Sequence, residues 1–299
     1  MQIGFIGLGN MGAPMARNLA AAGHAVSGFD VAGIVVDGVA PAASAAAAAA
    51  GREAVVTMLP DGDILRAVYA EIVPAGAAGA VFVDCSTVDV ESARAVAAAV
   101  RAAGRLAVDA PVSGGTAGAA AGTLTFMAGG PPEAFAAARP LFDVMGARAV
   151  HCGGAGAGQA AKICNNLILG VTMAGVCEAF ALAGKLGLDA HSLYDVVSTS
   201  SGACWSVTTY CPVPGVGPTS PADHGYRPGF AAELMLKDLT LSQQAAGAVD
   251  AATPIGGATT RLYRTFLAAG GRGRDFSALL PWLTQRGREP SLADPPGPV

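Results

Sequence analysis

The first 30 residues carry the feature that most restricts the fold of this chain. Ile3–Gly7 is an apolar segment with the length of a buried strand, Ala13–Ala22 favours a helix, and His24–Asp30 indicates a second strand. A glycine turn, Gly7-Leu-Gly-Asn-Met-Gly12, joins the first strand to the helix. This pattern alone is weak in a chain with 41 glycines. Strand, glycine turn, helix and strand in this order nevertheless predict the start of a parallel α/β sheet.

A glycine turn in this position is typical of dinucleotide binding. The first glycine permits the tight turn, the second lets a pyrophosphate approach the backbone, and the third allows close packing of helix on strand. The helix N-terminus adds partial positive charge. The alternative is a strand–helix–strand unit without a ligand. The predicted cofactor contacts in the turn are Gly7, Leu8, Gly9, Asn10, Met11 and Gly12.

Asp30 ends the second strand, about 20 residues after the glycine turn, where a ribose-binding carboxylate belongs. An acid here accepts hydrogen bonds from ribose hydroxyls and repels a 2′-phosphate, and the next basic residue is Arg52. The sequence therefore favours NAD over NADP, unless Asp30 only caps the next helix. Residues 31–50 are apolar and then rich in alanine, which predicts a helix whose ends the sequence does not define.

Further strand-like segments alternate with helical ones up to residue 158, which predicts a dinucleotide-binding domain over residues 1–158. The loop 110–118 consists of small residues and follows a strand, at the end where ligands of open α/β sheets bind. Its Ser113, Gly114 and Gly115 offer a hydroxyl and successive amides to an anion, although such a loop can also be a mere connector. The predicted strands are Ala54–Leu59, Ala80–Asp84, Leu106–Asp109, Thr123–Ala128 and Arg148–His151.

A long helix is predicted from Gly158 to about Leu186. Nearly every residue from Leu167 to Cys177 is apolar or small, which predicts a helix that is buried on all sides. Because the uncharged run after Lys162 is only about 15 residues long, a membrane span is not expected. Lys162 and Asn166 lie one turn apart on one face. Lys162 is either a solvated helix end or a working amine.

Composition excludes several classes of partner. Only 13% of the residues are charged, the net charge is −4, and there is no block of Lys or Arg, so neither nucleic acid nor an anionic membrane is expected. The six cysteines form no C-x-x-C pair and no cluster with the four histidines, so we expect no metal site. No signal peptide precedes the first strand, which favours a cytoplasmic protein.

The second half of the chain is predicted to be an all-helical domain over residues 159–288, followed by a Pro-rich disordered tail, 289–299. Its helices are interrupted by the irregular segment Ser200–Phe230, which is long enough to suggest a function.

These motifs together resemble the β-hydroxyacid dehydrogenase family over nearly the whole chain. Two segments, Ser201–Trp205 and Tyr210–Val216, are similar to one branch of that family in particular. The motifs shared with the broad family are Gly7–Gly12 with Asn18-Leu19, Thr57–Pro60, Asp84–Thr87, Asp109–Gly115, Gly122–Thr125, Gly158–Asn166 and Lys237–Leu239.

The resemblance implies a Rossmann-type domain, an all-helical domain with a long helix between them, and an active site in the cleft. It also implies a homodimer or homotetramer that oxidises a small hydroxy acid with NAD. Lys162 matches the family's catalytic lysine and Asn166 its partner. The loop Ser113, Gly114 and Gly115 matches the site of the substrate carboxylate. The remaining cofactor contacts are Leu59, Pro60, Thr87 and Lys237.

Lys162 is also the best general base that the residues themselves offer, because the chain has neither a G-x-S-x-G nor an H-E-x-x-H motif. A lysine titrates near 10.4 in water, and desolvation would lower that value. Two alternatives stay open. One is a short-chain semialdehyde or glyoxylate reductase of the same family, and the other is a protein that binds NAD without catalysis. Trp205 and Phe230 are candidates for an apolar surface beside the substrate, or they simply pack the helical domain.

Overall fold

The computed structural model describes residues 1–285 and divides the chain into two compact units, Met1–Lys162 and Ile163–Val299. The division falls inside the long helix, one turn beyond the boundary at residue 158 that the sequence suggested. The predicted disordered tail, 289–299, lies outside the described residues.

A nine-stranded sheet forms the first unit, in the order β3-β2-β1-β4-β5-β6-β8-β7, with β9 beside β8. The strands from β3 to β6 in this order are parallel, whereas β8 runs antiparallel to β6 and β7. The predicted Rossmann-type parallel sheet is therefore confirmed, with an antiparallel element at one edge. The strands are β1 Gln2–Ile6, β2 Ala25–Phe29, β3 Ala40–Pro41, β4 Ala54–Thr57, β5 Val81–Asp84, β6 Leu106–Asp109, β7 Val112–Ser113, β8 Leu124–Gly129 and β9 Gly146–Gly153.

Helices cover both faces of the sheet, because successive strand residues point to opposite faces. On β1, Ile3 and Phe5 face a core formed with α1 and α6, while Ile6 faces a second core formed with α2, α3 and α4. Both cores consist mainly of aliphatic and aromatic side chains. The helices are α1 Gly12–Ala21, α2 Ala45–Ala49, α3 Gly62–Ala75, α4 Val90–Ala102, α5 Gly115–Ala121 and α6 Pro132–Met145.

The segment 31–50 is less helical than its composition predicts. Only Ala45–Ala49 forms a helix, and Ala40–Pro41 is a short strand beside β2. Gly33 and Gly38 adopt positive φ angles of 68° and 77°, which interrupt any helix before residue 40. The alanine-rich helix α2 packs very close to β1, since a Cβ on Gly4 would lie 2.5 Å from the carbonyl oxygen of Ala48. Small side chains let α2 approach the sheet this closely.

The second unit is helical, as predicted. Its core contains Met173, Cys177 and Phe180 of α7, together with Met235 and Leu239 of α10. The irregular segment Ser200–Phe230 contains two short helices that the sequence did not indicate, α9 and a 3₁₀ turn at Pro221–His224. The elements are α7 Ala157–Lys185, α8 Ala190–Val197, α9 Trp205–Thr208, α10 Ala232–Ala248, α11 Pro254–Phe266 and α12 Leu279–Gln285.

The prediction that the long helix is buried on all sides is wrong for the chain by itself. Ile168 and Leu182 of α7 expose 64% and 58% of their surface. By length and composition alone α7 could cross a membrane, a property that it shares with core helices of soluble proteins. The polar side chains Gln159, Lys162 and Asn166 lie on its buried side instead.

Candidate active site

The segments that carry most of the predicted contacts meet at one edge of the sheet. Ile6 pairs with both Phe29 and Thr57, and Thr57 pairs with Asp84, so the strands end level with one another. The parallel strands therefore place the glycine turn, Asp30, Leu59 with Pro60, and Thr87 on the same carboxyl edge. Ligands of open α/β sheets bind at this edge.

The three glycines of the turn have different structural roles. Gly7 has a φ of +92°, and a Cβ there or on Gly12 would overlap a backbone carbonyl oxygen, that of Met58 or of Gly7. Packing therefore requires both glycines. A Cβ on Gly9 would meet no protein atom within 4 Å, and the φ of Gly9 is not in the left-handed region. Gly9 has no packing reason to be a glycine, which fits the approach of a ligand to its backbone.

Helix α1, which follows the turn, begins without a side-chain cap, as do α5 and α6, whereas three other helices of this unit are capped. Ser44, Asp61 and Asp89 cap α2, α3 and α4 with side-chain oxygens. α1 has no side-chain cap at Met11 and no acid in its first turn. Its N-terminal amides and partial positive charge thus suit the pyrophosphate of a dinucleotide.

Asp30 is tied to the glycine turn rather than serving only as a cap. Its Oδ2 accepts a hydrogen bond from the Leu8 N–H at 2.7 Å, and its Oδ1 accepts one from the Ala32 N–H at 2.8 Å. Arg52 precedes β4 at the opposite, amino end of the sheet, where its guanidinium donates to the Ala48 carbonyl and the Gln2 side chain. Arg52 is therefore not placed to bind a 2′-phosphate beside Asp30.

Buried Asp84 connects the two loops after β4 and β5 that carry predicted cofactor contacts. Its Oδ1 accepts hydrogen bonds from the Thr57 hydroxyl at 2.9 Å and from the Ser86 hydroxyl at 2.6 Å. The Ser86 hydroxyl oxygen in turn accepts the Leu59 N–H at 2.8 Å. The loops that contain Leu59 with Pro60, and Thr87, are thus connected through one buried carboxylate.

Asp109, at the end of β6, holds the start of α7. Its two oxygens accept the Gly156 N–H at 2.7 Å and the Gln159 N–H at 3.0 Å. Burial raises the pKa of Asp109 to about 6, the two amides counteract that rise, and neighbouring Asp84 adds to it. A Cβ on Gly158 would come within 2.8 Å of Asp109 Oδ2, so helix and strand are packed as closely as glycine permits.

Lys162 and Asn166 are both buried, one turn apart on α7. The Asn166 amide donates a short hydrogen bond to Oδ2 of buried Asp238, and the Lys237 ammonium lies 3.4 Å from Oδ1 of the same carboxylate. Asp238 therefore joins two predicted site residues, Asn166 and Lys237, in one network. The sequence placed Asp238 in a family motif but assigned it no role, because its burial is not visible in the sequence.

The loop predicted to hold the substrate carboxylate is built around two glycines. Ser113 ends the short strand β7, and Gly115 begins α5. Gly114 and Gly115 have φ angles of +132° and +62°, which L side chains rarely adopt. The loop thus has a defined, glycine-dependent backbone, with the Ser113 hydroxyl at its start.

Trp205 and Phe230 belong to a single group of rings in the helical unit. Trp205 stacks on Tyr210 with centroids 4.8 Å apart, Tyr210 contacts Phe276 at 5.4 Å, and Phe230 meets Phe276 edge-on. The Tyr210 hydroxyl donates to buried Asp275 at 2.9 Å. Trp205 remains 48% exposed at the end of this group.

Comparison with known proteins agrees with this geometry. Residues 2–154 match the family described as the NAD binding domain of 6-phosphogluconate dehydrogenase, and residues 156–283 match the NAD-binding region of NADP-dependent 3-hydroxyisobutyrate dehydrogenase. A probable 3-hydroxyisobutyrate dehydrogenase of Mycobacterium tuberculosis is 48% identical over 289 residues, covering 95% of this chain and 98% of the relative. An NAD-dependent L-serine dehydrogenase of Pseudomonas aeruginosa is 47% identical over 286 residues, covering 93% and 96%.

A solved structure extends the likeness to the fold. The 3-hydroxyisobutyrate dehydrogenase of Mycobacterium tuberculosis, determined with L-serine, superimposes with a TM-score of 0.90 at 48% identity, covering 95% of this chain and 99% of that one. The resemblance deduced from the motifs is thereby confirmed. This chain belongs to the 3-hydroxyisobutyrate dehydrogenase family of NAD-dependent dehydrogenases.

Proposed function

We propose that this enzyme oxidises 3-hydroxyisobutyrate to methylmalonate semialdehyde with NAD, a step of valine catabolism, in the cytoplasm. The observation that carries the proposal is the position of Lys162. It is buried, beside Asn166, on a helix whose first turn is bonded to the carboxyl edge of the nucleotide-binding sheet. The chain is also 47–48% identical to relatives named 3-hydroxyisobutyrate dehydrogenase and NAD-dependent L-serine dehydrogenase, which supports the same class of substrate.

The protein's part in the reaction follows from its own side chains. NAD, when bound at the glycine turn, supplies the nicotinamide that accepts the hydride. Lys162 Nζ takes the proton of the substrate hydroxyl, and in the reverse direction returns it to the carbonyl oxygen. A hydrogen bond to Asp238 fixes the side-chain amide of Asn166, which lies one turn from Lys162 on the same face of α7. Burial of Lys162 keeps bulk water away from that proton.

The substrate carboxylate is assigned to Ser113, Gly114 and Gly115. The Ser113 hydroxyl can donate one hydrogen bond, and successive glycine amides such as those of Gly114 and Gly115 can form a concave anion site. With the carboxylate held there and the hydroxyl at Lys162, the middle carbon of the substrate is fixed. Selectivity then depends on the group that this carbon carries.

L-serine is a second candidate substrate, because one relative is named as an L-serine dehydrogenase and the solved relative contains L-serine. Serine shares the carboxylate and hydroxymethyl groups of 3-hydroxyisobutyrate but carries an ammonium in place of the methyl. An apolar surface favours the methyl, because an ammonium that loses its water without a partner is strongly disfavoured. We expect L-serine and 3-hydroxypropionate to be slow substrates.

We further propose that the enzyme is a homodimer or homotetramer, without nucleic acid or membrane as partner. Its helical unit exposes apolar side chains, among them Ile168, Leu182 and Ile255, and exposed apolar surface of this kind marks protein–protein contacts. Light scattering coupled to size-exclusion chromatography measures the oligomer directly. A monomer at micromolar concentration contradicts this part of the proposal.

A substrate scan tests the proposed function. The purified enzyme is assayed with 3-hydroxyisobutyrate, 3-hydroxypropionate, L-serine, glycerate and 4-hydroxybutyrate, each with NAD and NADP, by absorbance of the reduced nicotinamide. We expect kcat/KM for 3-hydroxyisobutyrate to exceed that for 3-hydroxypropionate by about 10- to 200-fold, because the two substrates differ by one methyl group in an apolar pocket. Faster turnover of glycerate or 4-hydroxybutyrate would favour the semialdehyde reductase alternative. Absence of any turnover would support an NAD-binding protein without catalysis.

A further inference from the structure

The buried side chain of Gln159 is used by nothing in the reaction described above. It is completely inaccessible to solvent and lies on the first turn of α7. Its Nε2 donates to the Ser86 carbonyl at 2.8 Å, and its Oε1 accepts the Val88 N–H at 3.1 Å. These partners fix the orientation of the amide, since a carbonyl only accepts and an N–H only donates.

The two partners of Gln159 flank Thr87, a predicted cofactor contact. The glutamine therefore holds the Thr87 loop from both sides. On the helix, Gln159 precedes Lys162 by three positions, and residues three apart lie on neighbouring parts of one face. One side chain thus links the loop assigned to the cofactor with the turn of helix that carries the lysine.

The backbone of Gln159 is fixed as firmly as its side chain. Its N–H donates to Asp109 Oδ2 at 3.0 Å, and the Gly156 N–H donates to Oδ1. A Cβ on Gly129 would lie 2.6 Å from both the Gly158 nitrogen and Asp109 Oδ1, so the strand ends leave the helix no room to shift toward them. The first turn of α7 is therefore held by backbone and side-chain contacts together.

We propose that Gln159 is a positioning residue, which sets Lys162 relative to the Thr87 loop through its paired hydrogen bonds to Ser86 and Val88. This inference rests on the proposed role of Lys162. A misplacement of about 1 Å between reacting groups lowers a rate by roughly 100-fold, so the effect belongs in kcat. Gln159 reaches the proposed NAD site only through the Thr87 loop. The glycine turn and Asp30 supply most of the proposed NAD contacts, so the effect on NAD affinity is expected to be smaller than the effect on kcat.

The test compares Gln159→Met, which keeps the shape and removes both hydrogen bonds, with Gln159→Glu, which keeps an acceptor for Val88. We expect kcat to fall roughly 10- to 100-fold in Gln159→Met, with the Kd for NAD within about threefold of wild type. The fall in Gln159→Glu should be at least as large, because its buried carboxylate has no proton to donate to the Ser86 carbonyl. Gln2→Met is the matched control, because Gln2 bonds Arg52 at the amino end of the sheet. It should leave kcat unchanged.

A double-mutant cycle with Lys162→Ala separates positioning from a merely structural role. If Gln159 acts through Lys162, adding Gln159→Met to Lys162→Ala lowers the residual rate by less than about threefold. Full additivity of the two effects, or a loss that appears only in NAD affinity, overturns the positioning role. Wild-type kcat in Gln159→Met also overturns it while the proposed function stands. Wild-type kcat in Lys162→Ala assigns proton transfer to another group and overturns the positioning role with it, whereas the proposed oxidation itself is tested by the substrate scan.

Discussion

Two substitutions in the same glycine turn should have different effects: Gly12→Ala should lower stability, whereas Gly9→Ala should lower the affinity for NAD. A Cβ on Gly12 would lie 2.9 Å from the carbonyl carbon of Gly7 and would overlap its oxygen. Carbon atoms pack at about 3.5–4.0 Å, so in Gly12→Ala the strand and α1 must separate. A Cβ on Gly9 meets nothing within 4 Å.

The structure sets the expected magnitudes. Because the added methyl group meets rigid backbone, Gly12→Ala should lower the free energy of unfolding by about 3 kcal/mol or more. For a unit of this size, that lowers the Tm by roughly 6–12 °C. Gly9→Ala should leave stability unchanged or raise it by about 0.4–1 kcal/mol, through the unfolded state. Its methyl group instead occupies the space that the pyrophosphate needs. The loss of one charge-assisted hydrogen bond costs about 1.5–3 kcal/mol, which lowers the affinity for NAD roughly 10- to 100-fold.

The assay uses thermal unfolding by far-UV circular dichroism and calorimetric titration with NAD. The two tryptophans, Trp205 and Trp282, both lie in the second unit, so their fluorescence reports that unit separately. Gly23→Ala is unsuitable as a control, because Gly23 has a φ of +87°. Gly175→Ala is suitable, since its Cβ meets nothing and α7 favours alanine. Wild-type NAD affinity in Gly9→Ala, or wild-type Tm in Gly12→Ala, refutes the reasoning.

Three further predictions concern charged residues. Asp30→Ala should lower the affinity for NAD more than the affinity for NADP. A wild-type protein that binds NADP as tightly as NAD contradicts the assignment of Asp30 to the ribose. Lys162→Ala should lower kcat by about two to four orders of magnitude with NAD affinity kept, whereas the exposed Lys185→Ala should change neither. The raised pKa of Asp109, about 6 against 3.8, means that the folded state binds this proton more tightly. As the pH rises from 4 to 6.5, the free energy of unfolding of the wild type, measured with urea, should therefore fall by up to about 3 kcal/mol relative to that of Asp109→Asn. A difference between the two proteins that does not change with pH contradicts this prediction.

Local patterns predicted most of the first unit because its strands alternate with helices and end at recognisable turns. The boundaries of β6, Leu106–Asp109, agree with the sequence-based prediction. The segment 31–50 was harder, since propensity favours helix throughout while Gly33, Gly38 and Pro41 impose a different backbone. In that segment, tertiary packing of α2 against Gly4 decides where the one short helix forms.

Motifs also predicted which residues follow the strands, but not the hydrogen bonds that connect them. Asp84, Asp109 and Asp238 all stand in motifs, yet a sequence does not reveal that each is buried and accepts bonds from residues far along the chain. The positions of Asp84 and Asp109 follow from sheet topology, since the level ends of parallel strands bring distant loops together. That of Asp238 follows from the packing of α10 beside α7. Predicting these bonds requires the register of the sheet for the first two carboxylates and the packing of the helices for the third.

The long helix shows most clearly what composition conceals. Gln159, Lys162 and Asn166 fall on one stripe of α7, which continues through Met173 and Cys177, and all five side chains are buried. The exposed positions of the helix include Ile168 and Leu182 instead. Polar groups inside and apolar groups outside reverse the usual pattern of a surface helix.

This reversal has a physical reason at each end of the stripe. Buried polar groups are costly unless they are bonded, and Gln159 and Asn166 have bonded partners in Ser86, Val88 and Asp238. Where the stripe turns apolar, Gly170 lets Met235 and Leu239 of α10 approach its backbone. The first turns of α7 therefore carry the residues proposed to act in catalysis, and the later turns contribute to the core. A helix with its polar residues on the buried side departs from the local rule for stability, and such departures are expected where a side chain is kept for function.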